Sequence, residues 1–167
     1  RLAAALDQAE QRFHRRAGAA RRIISLVPAV TEMLFAIGAG PQVVAVSSFD
    51  AYPPQVRDLP RVGALIDPDL ERIISLRPDL VVIDRGQTDL AEQLRRAGIG
   101  VFPYALGGLD NIVATMERLG EAAGHSEEAR LVITSIDTDL AAVRRRVAGR
   151  ARPAVLLVFG REPGTLR

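Results

Sequence analysis

A chain of 167 residues that is 48% hydrophobic but only 4% aromatic suits one ordinary domain with a core of Val, Ile, Leu and Ala, and is too apolar to be disordered. All 22 basic residues are arginine and 20 acids offset them to a net charge of +2, so Arg15-Arg16, Arg21-Arg22 and Arg144-Arg145-Arg146 read as solvated helix faces and no nucleic-acid partner is expected. The absence of cysteine excludes disulfides, thiol catalysis and thiolate metal sites, no apolar run approaches the ~20 residues of a membrane span, and the opening at Arg1 without a signal segment implies that any export signal was encoded upstream.

In chain order, residues 1–20 read as a helix, because Leu2, Leu6, Ala9 and Phe13 recur every three or four positions between charges; residues 1–21 are taken as an N-terminal arm. Arg22-Ile23-Ile24-Ser25-Leu26-Val27 is a short β-branched run that predicts a buried strand stopped by Pro28. Thr31 or Ser25 then caps a helix over 31–37, closed by Gly38 and Gly40. Val43-Val44-Ala45-Val46 is the next strand, ending in a polar loop whose Tyr52-Pro53-Pro54 continues neither strand nor helix. Val62-Gly63-Ala64-Leu65 is a short extended piece. Asp67-Pro68-Asp69 is an acidic cap for a helix over 70–76. Leu80-Val81-Val82-Ile83 is an uninterrupted apolar strand, as expected where both sheet faces are covered. A loop over 84–88, a helix over 89–97 ended by Gly98, and a strand through Val101-Phe102 follow.

The alternation of strand and helix predicts an α/β fold, a three-layer sandwich with a mostly parallel sheet. Ligand sites in such sheets lie beyond the carboxyl ends of the strands. Those ends fall at 28–31, 47–52, 64–67, 84–88 and 103–106, so five loops should line one rim. After residue 107 the pattern changes to a helix over 109–123, broken by Gly124, and then a long helix over 127–147 capped by Ser126 with Glu127-Glu128 in its first turn. Residues 153–159 read as a lone strand, which cannot stand without partners.

Taken together, these pieces resemble the helical-backbone metal-chelate binding proteins, periplasmic receptors of ABC importers whose two lobes are joined by one long helix. The resemblance rests on Arg22-Ile23-Ile24-Ser25-Leu26-Val27-Pro28-Ala29-Val30-Thr31-Glu32, Gly38, Val44-Ala45-Val46-Ser47-Ser48, Tyr52-Pro53-Pro54, Val62-Gly63, and Asp69-Leu70-Glu71-Arg72-Ile73-Ile74-Ser75-Leu76-Arg77-Pro78-Asp79-Leu80-Val81. The segment Ser47-Ser48-Phe49-Asp50-Ala51-Tyr52-Pro53-Pro54 is closest to the cobalamin-binding branch. Leu65, standing where that branch has an aromatic, keeps siderophore and haem open. The implied organisation is a binding lobe over 22–124, a long interlobe connecting helix over 125–150, and the first strand of a truncated C-terminal lobe over 151–167.

The resemblance implies a solute-binding protein that captures cobalamin, a siderophore or haem between two lobes and delivers it to an ABC permease. It implies a periplasmic or cell-surface location, with lipid anchoring left open, and no cofactor other than the chelate carried as ligand. It places Pro28, Ala29, Val30, Thr31, Phe49, Tyr52, Ala64, Leu65, Arg85 and Gly86 at the rim, and gives Glu71 a role in docking onto permease arginines. The residues themselves offer free amides and a positive dipole end near Thr31, flat apolar contact from Phe49 and Tyr52, and a cation at Arg85. Each has a plainer reading: Tyr52 braces a proline loop, Phe49 belongs to the core, Arg85 is a solvated charge, and Glu71 complements its helix dipole. Tyr104 is a second rim aromatic. A lobe without its partner is expected to self-associate, through the strand over 153–159.

Catalysis has little support. His14 and His125 lie in different contexts, and no HExxH, GxSxG, Walker or GxGxxG pattern is present. The alternative is a small α/β enzyme acting on a nucleotide or sugar, for which Asp50, Asp67, Asp84 and Arg85 are the groups at the strand ends.

Overall fold

The structure is a computed structural model and describes residues 18–156. The expected N-terminal helix lies almost entirely outside those residues, as does the second half of the expected strand over 153–159.

Four strands form one sheet: β1 (Ile23–Ser25), β2 (Val43–Val46), β3 (Leu80–Asp84) and β4 (Gly100–Tyr104), in the order β2-β1-β3-β4. Every pairing is parallel. Ile24 sits opposite Ala45 on one side and Val81 on the other, and Val82 sits opposite Phe102. Side chains alternate across a strand, so successive residues of β1, β3 and β4 serve opposite faces. Ile24, Val81, Ile83 and Val101 join a core with Ile73 of α2 (Leu70–Ser75) and Leu90, Ala91 and Leu94 of α3 (Thr88–Arg96). The other face is covered by α1 (Pro28–Ala36) and α4 (Leu109–Ala123), which touch each other. There the Arg118 guanidinium of α4 stacks over the Phe102 ring at 4.6 Å. With helices on both faces, Leu80–Ile83 is buried throughout, which explains its unbroken apolar run. Each such side chain contributes about 1.5–3 kcal/mol.

The expected strand end and helix start around Pro28 need correction: β1 already ends at Ser25. Pro28 is the first residue of α1, not a stop three residues ahead of it. Its missing N–H and fixed φ suit the first helical turn, where the amide would have no intrahelical partner. Neither Thr31 nor Ser25 caps the helix. The Thr31 hydroxyl donates back to the Val27 carbonyl at 3.3 Å, as a hydroxyl inside a helix does, and Ser25 Oγ donates to the same carbonyl at 3.2 Å. The acidic cap of α2 does form: Asp69 Oδ1 accepts from the Arg72 amide at 2.9 Å.

The amino edge of the sheet is stitched by charge. Asp79 accepts from the amides of Arg21 (2.8 Å) and Arg22 (3.0 Å), while the Arg22 guanidinium donates to the Leu76 and Arg77 carbonyls at the end of α2. The entry to β3 is thereby fixed to the entry to β1.

Beyond α4 the chain turns at Gly124 into α5 (Ser126–Val147), one unbroken helix of 22 residues. In its first turns Glu127 pairs with Arg130, whose hydrogen bonds and charge hold the Glu127 carboxyl below its ordinary value. That pair is exposed and is lost as the pH falls through the lowered value. The chain divides into two compact units, Arg1–Ser135 and Ile136–Arg167. In the second, residues 151–156 have no regular secondary structure, so the expected strand is not formed over its described part. Strand geometry needs a neighbouring edge, and residues 153–156 pair with none among the described residues.

Gly63 holds the tight return between Val62 and Asp69. It has φ +84°, the Asp69 amide donates to the Val62 carbonyl at 3.0 Å, and a Cβ at Gly63 would lie 2.3 Å from the Asp67 carbonyl oxygen. Gly98 has the same left-handed backbone (φ +75°) with open space around it. Gly63→Ala should therefore lose about 3 kcal/mol or more in urea unfolding and Gly98→Ala about 1 kcal/mol. Equal losses would mean that crowding at Gly63 is absent.

Candidate functional site

Because the four strands are parallel, all their carboxyl ends meet at one edge. A fifth extended piece joins them. The Val46 amide donates to Pro60 and the Val62 amide to Val46 (3.0 and 3.1 Å), with Val46 bridged in parallel to Arg61. That piece also delivers its end, Ala64-Leu65, to the same edge. The edge thus gathers the turn into α1, the loop from Ser47 to Pro54, residues 64–67, the loop after Asp84, and residues 105–108. β1 connects outward to β2, while β3 and β4 lie on its other side, so the chain reverses direction across β1 and β3. Such a reversal opens a crevice at the carboxyl ends.

These loops carry unusually exposed apolar side chains. Phe49 is 73% exposed, Tyr52 62%, Leu65 50%, Ile66 90% and Leu106 87%. Five large apolar side chains are thus held in water on the loops at this edge of the sheet. Nearby, Arg85 and Gly86 are exposed. The Asp84 carboxylate accepts from the Gly86 amide at 2.8 Å, and the Arg85 amide donates to the Tyr104 carbonyl at 2.7 Å. Gln87 braces two loops at once: its Nε2 donates to the Leu65 carbonyl (2.8 Å) and its Oε1 accepts from the Asp84 amide (3.0 Å).

The residues expected at the rim divide into two groups. Ala29, Phe49, Tyr52, Leu65, Arg85 and Gly86 are exposed, and Pro28 is half-buried. Val30, Thr31 and Ala64 are buried at this edge, their side chains withdrawn from solvent. Tyr104 is buried as well. The opening of α1 offers less than expected: Pro28 has no amide hydrogen, and the Val30 and Thr31 amides already donate to the Val27 carbonyl, leaving that of exposed Ala29. Glu71 is exposed in the first turn of α2.

Sequence reasoning did not single out Ile66 and Leu106, although both lie in segments expected at the rim; the signal was a large apolar side chain in a loop, followed directly by Asp67 or Gly107. It also missed Arg61, whose Nη1 donates to the Ser47 (3.0 Å) and Asp50 (2.8 Å) carbonyls, and the burial of Asp50. Asp50 and Asp84, two of the acids an enzyme would use, are engaged in their own loops' hydrogen bonds. Among the described residues no group of three His, Asp or Glu side chains is placed to hold a metal ion, and no helix is long and apolar enough to cross a membrane. A groove of about 440 Å³, lined by Phe35, Pro41, Val43, Gln55 and Leu59 among others, opens beside the amino end of β2.

The family model for periplasmic binding proteins matches residues 23–166. A vitamin B12-binding protein of Photorhabdus laumondii is 36% identical over 145 residues, covering 85% of this chain and 52% of the relative. The vitamin B12-binding protein of Salmonella typhimurium is 36% identical over 147 residues, 87% of this chain and 54% of that protein. Among solved structures, the periplasmic vitamin B12 binding protein of Vibrio cholerae superposes with a TM-score of 0.70 at 31% identity, over 78% of this chain and 52% of the other. A periplasmic heme-binding protein from Roseiflexus superposes with a TM-score of 0.69 at 32% identity, over 79% and 52%. The chain spans about half the length of the curated relatives it matches.

Proposed function

The chain belongs to the periplasmic binding protein family, and from that membership we propose that it forms one side of a receptor that captures a metal chelate, namely cobalamin, haem or a ferric siderophore, and presents it to an ABC permease. The observation that carries this reading is the apolar rim of Phe49, Tyr52, Leu65, Ile66 and Leu106 at the carboxyl ends of a parallel sheet. A corrin or porphyrin has a broad flat face that loses unfavourable water contact against such a surface, and aromatic rings stack on it at little conformational cost. Arg85, exposed beside the rim, supplies a forked cation for carboxylate or phosphate groups at the edge of such a ligand. Binding at a preformed rim needs no acid–base pair, which agrees with loop aspartates engaged in holding backbone. The protein then works outside the cytoplasm, and its output is delivery, not turnover.

Glu71 lies on α2, on the helix that opens with the Asp69 cap, and is the residue we assign to permease docking. The cap fixes the first turn, so the exposed carboxylate is presented from a rigid base.

Calorimetric titration of the full-length protein with cyanocobalamin, haemin and ferric siderophores should show saturable binding of one class without chemical change in the ligand. Phe49→Ala and Tyr52→Ala should each weaken that binding by about tenfold, the effect of losing one stacked ring. No binding in any class, or unchanged affinity in both variants, would contradict the proposal. Glu71→Arg should leave ligand affinity unchanged while reducing transport in a reconstituted permease assay several-fold. Transport equal to that of the wild-type protein would remove Glu71 from the interface.

A further inference from the structure

The loop that presents Phe49 and Tyr52 is tied down by Ser47, Asp50 and Arg61. Asp50 is buried, 4% exposed, between two exposed aromatics. Its Oδ2 accepts from the Ser47 amide at 3.0 Å and from the Ser47 hydroxyl at 2.6 Å, and Ser47 Oγ in turn accepts from the Phe49 amide at 3.2 Å. Arg61 comes from the neighbouring extended piece, and its Nη1 donates to the carbonyls of both Ser47 and Asp50, at 3.0 and 2.8 Å. The base of Arg61 cannot drift, because residues 60–62 are hydrogen-bonded to Val46 at the end of β2. One guanidinium anchored on the sheet therefore holds both ends of the turn from Ser47 to Asp50, and one buried carboxylate closes it from within.

We infer that Arg61 and Asp50 are positioning residues, which preset this loop so that Phe49 and Tyr52 stand fixed before a ligand arrives; the inference rests on the rim being the ligand face. Two observations support it. The hydrogen bonds of the clasp go to backbone and to Ser47, so they define the path of the chain. The clasp is not arranged for greatest stability: Asp50 Oδ1 is buried with no hydrogen-bond partner among the described residues, and such an atom is destabilising in itself. What the arrangement does provide is a fixed backbone beneath two large apolar groups that water would otherwise drive inward. Rigidifying a binding loop in its receiving form raises affinity by removing the ordering penalty, and apparent affinity falls in proportion when the competent form becomes a minor one.

The test compares Arg61→Ala, Asp50→Asn and the milder Ser47→Ala with Tyr52→Ala in the full-length protein. Amide hydrogen exchange of the ligand-free protein reads the loop, with β3 amides as the measure of global stability. Cyanocobalamin and haemin titrations read affinity. Arg61→Ala and Asp50→Asn should speed exchange at the Ser47 and Phe49 amides at least about tenfold with β3 unchanged. They should weaken binding by about tenfold, and the loss should not add to that of Tyr52→Ala in the double variant. Arg61→Lys, which keeps a cationic donor, should recover part of both effects, and Ser47→Ala should show the same pattern more weakly should Arg61→Ala fail to fold. Unchanged loop exchange overturns the inference. So does a loosened loop with unaltered affinity where Tyr52→Ala still weakens binding, a result that leaves the ligand face standing. If neither Tyr52→Ala nor the clasp variants alter affinity, the rim itself is not the ligand face and the inference falls with it.

Discussion

Parallel pairing of the three-residue strand Ile23–Ser25 with strands on both sides is the constraint on which the rest of the molecule depends. A parallel neighbour cannot be reached by a hairpin, so each connection must return across a face of the sheet, and helices come to cover both faces. Each strand then starts at one edge and finishes at the other. The amino edge is spent on fastening, with Asp79 and Arg22 tying β1 to β3 and to the end of α2. The carboxyl edge is left to the loops, and there the chain holds Phe49, Tyr52, Ile66 and Leu106 in solvent. Strand direction alone thus separates the edge tied by Asp79 and Arg22 from the edge that carries these exposed apolar side chains.

Holding apolar groups in water is unfavourable, so something must stop the rim from collapsing onto the core. Two polar tethers and one glycine hold these loop backbones in the structure. Arg61 and Asp50 hold the aromatic loop, Gln87 links the Leu65 carbonyl to the Asp84 amide, and Gly63 permits the return that brings Leu65 and Ile66 to the edge. All three act on backbone atoms. The apolar side chains above them are thereby placed by main-chain geometry, and can differ between relatives without altering the frame. That separation is compatible with a family whose named members bind vitamin B12 or heme at similar TM-scores to this chain.

Much of the fold is legible in the sequence because its signals are local. Val43–Val46 and Leu109–Ala123 have the expected bounds, since β-branched runs and a three-to-four-residue apolar repeat ended by glycine depend on little else. The long helix over 126–147 is likewise set by its acidic opening and arginine close. The start of α1 was misread because proline stops a strand and also opens a helix, and only the tertiary context decides between them. The site was less legible. Phe49, Tyr52, Leu65 and Arg85 stand in the open as expected, but Val30, Thr31 and Ala64 are buried, because alternation and helical phase at those positions are set by packing against the sheet. The clasp left no local trace: Arg61 and Asp50 are eleven residues apart in two loops, and only the pairing of residues 60–62 with β2 brings them together.

The most direct test is a crystal structure of the full-length protein with its bound chelate. The ligand's flat face should lie against Phe49, Tyr52 and Leu65, with heavy-atom contacts of about 4 Å at the carboxyl ends of the strands. A chelate seated instead in the groove lined by Phe35, Pro41, Val43 and Leu59, beside the amino end of β2, would contradict it.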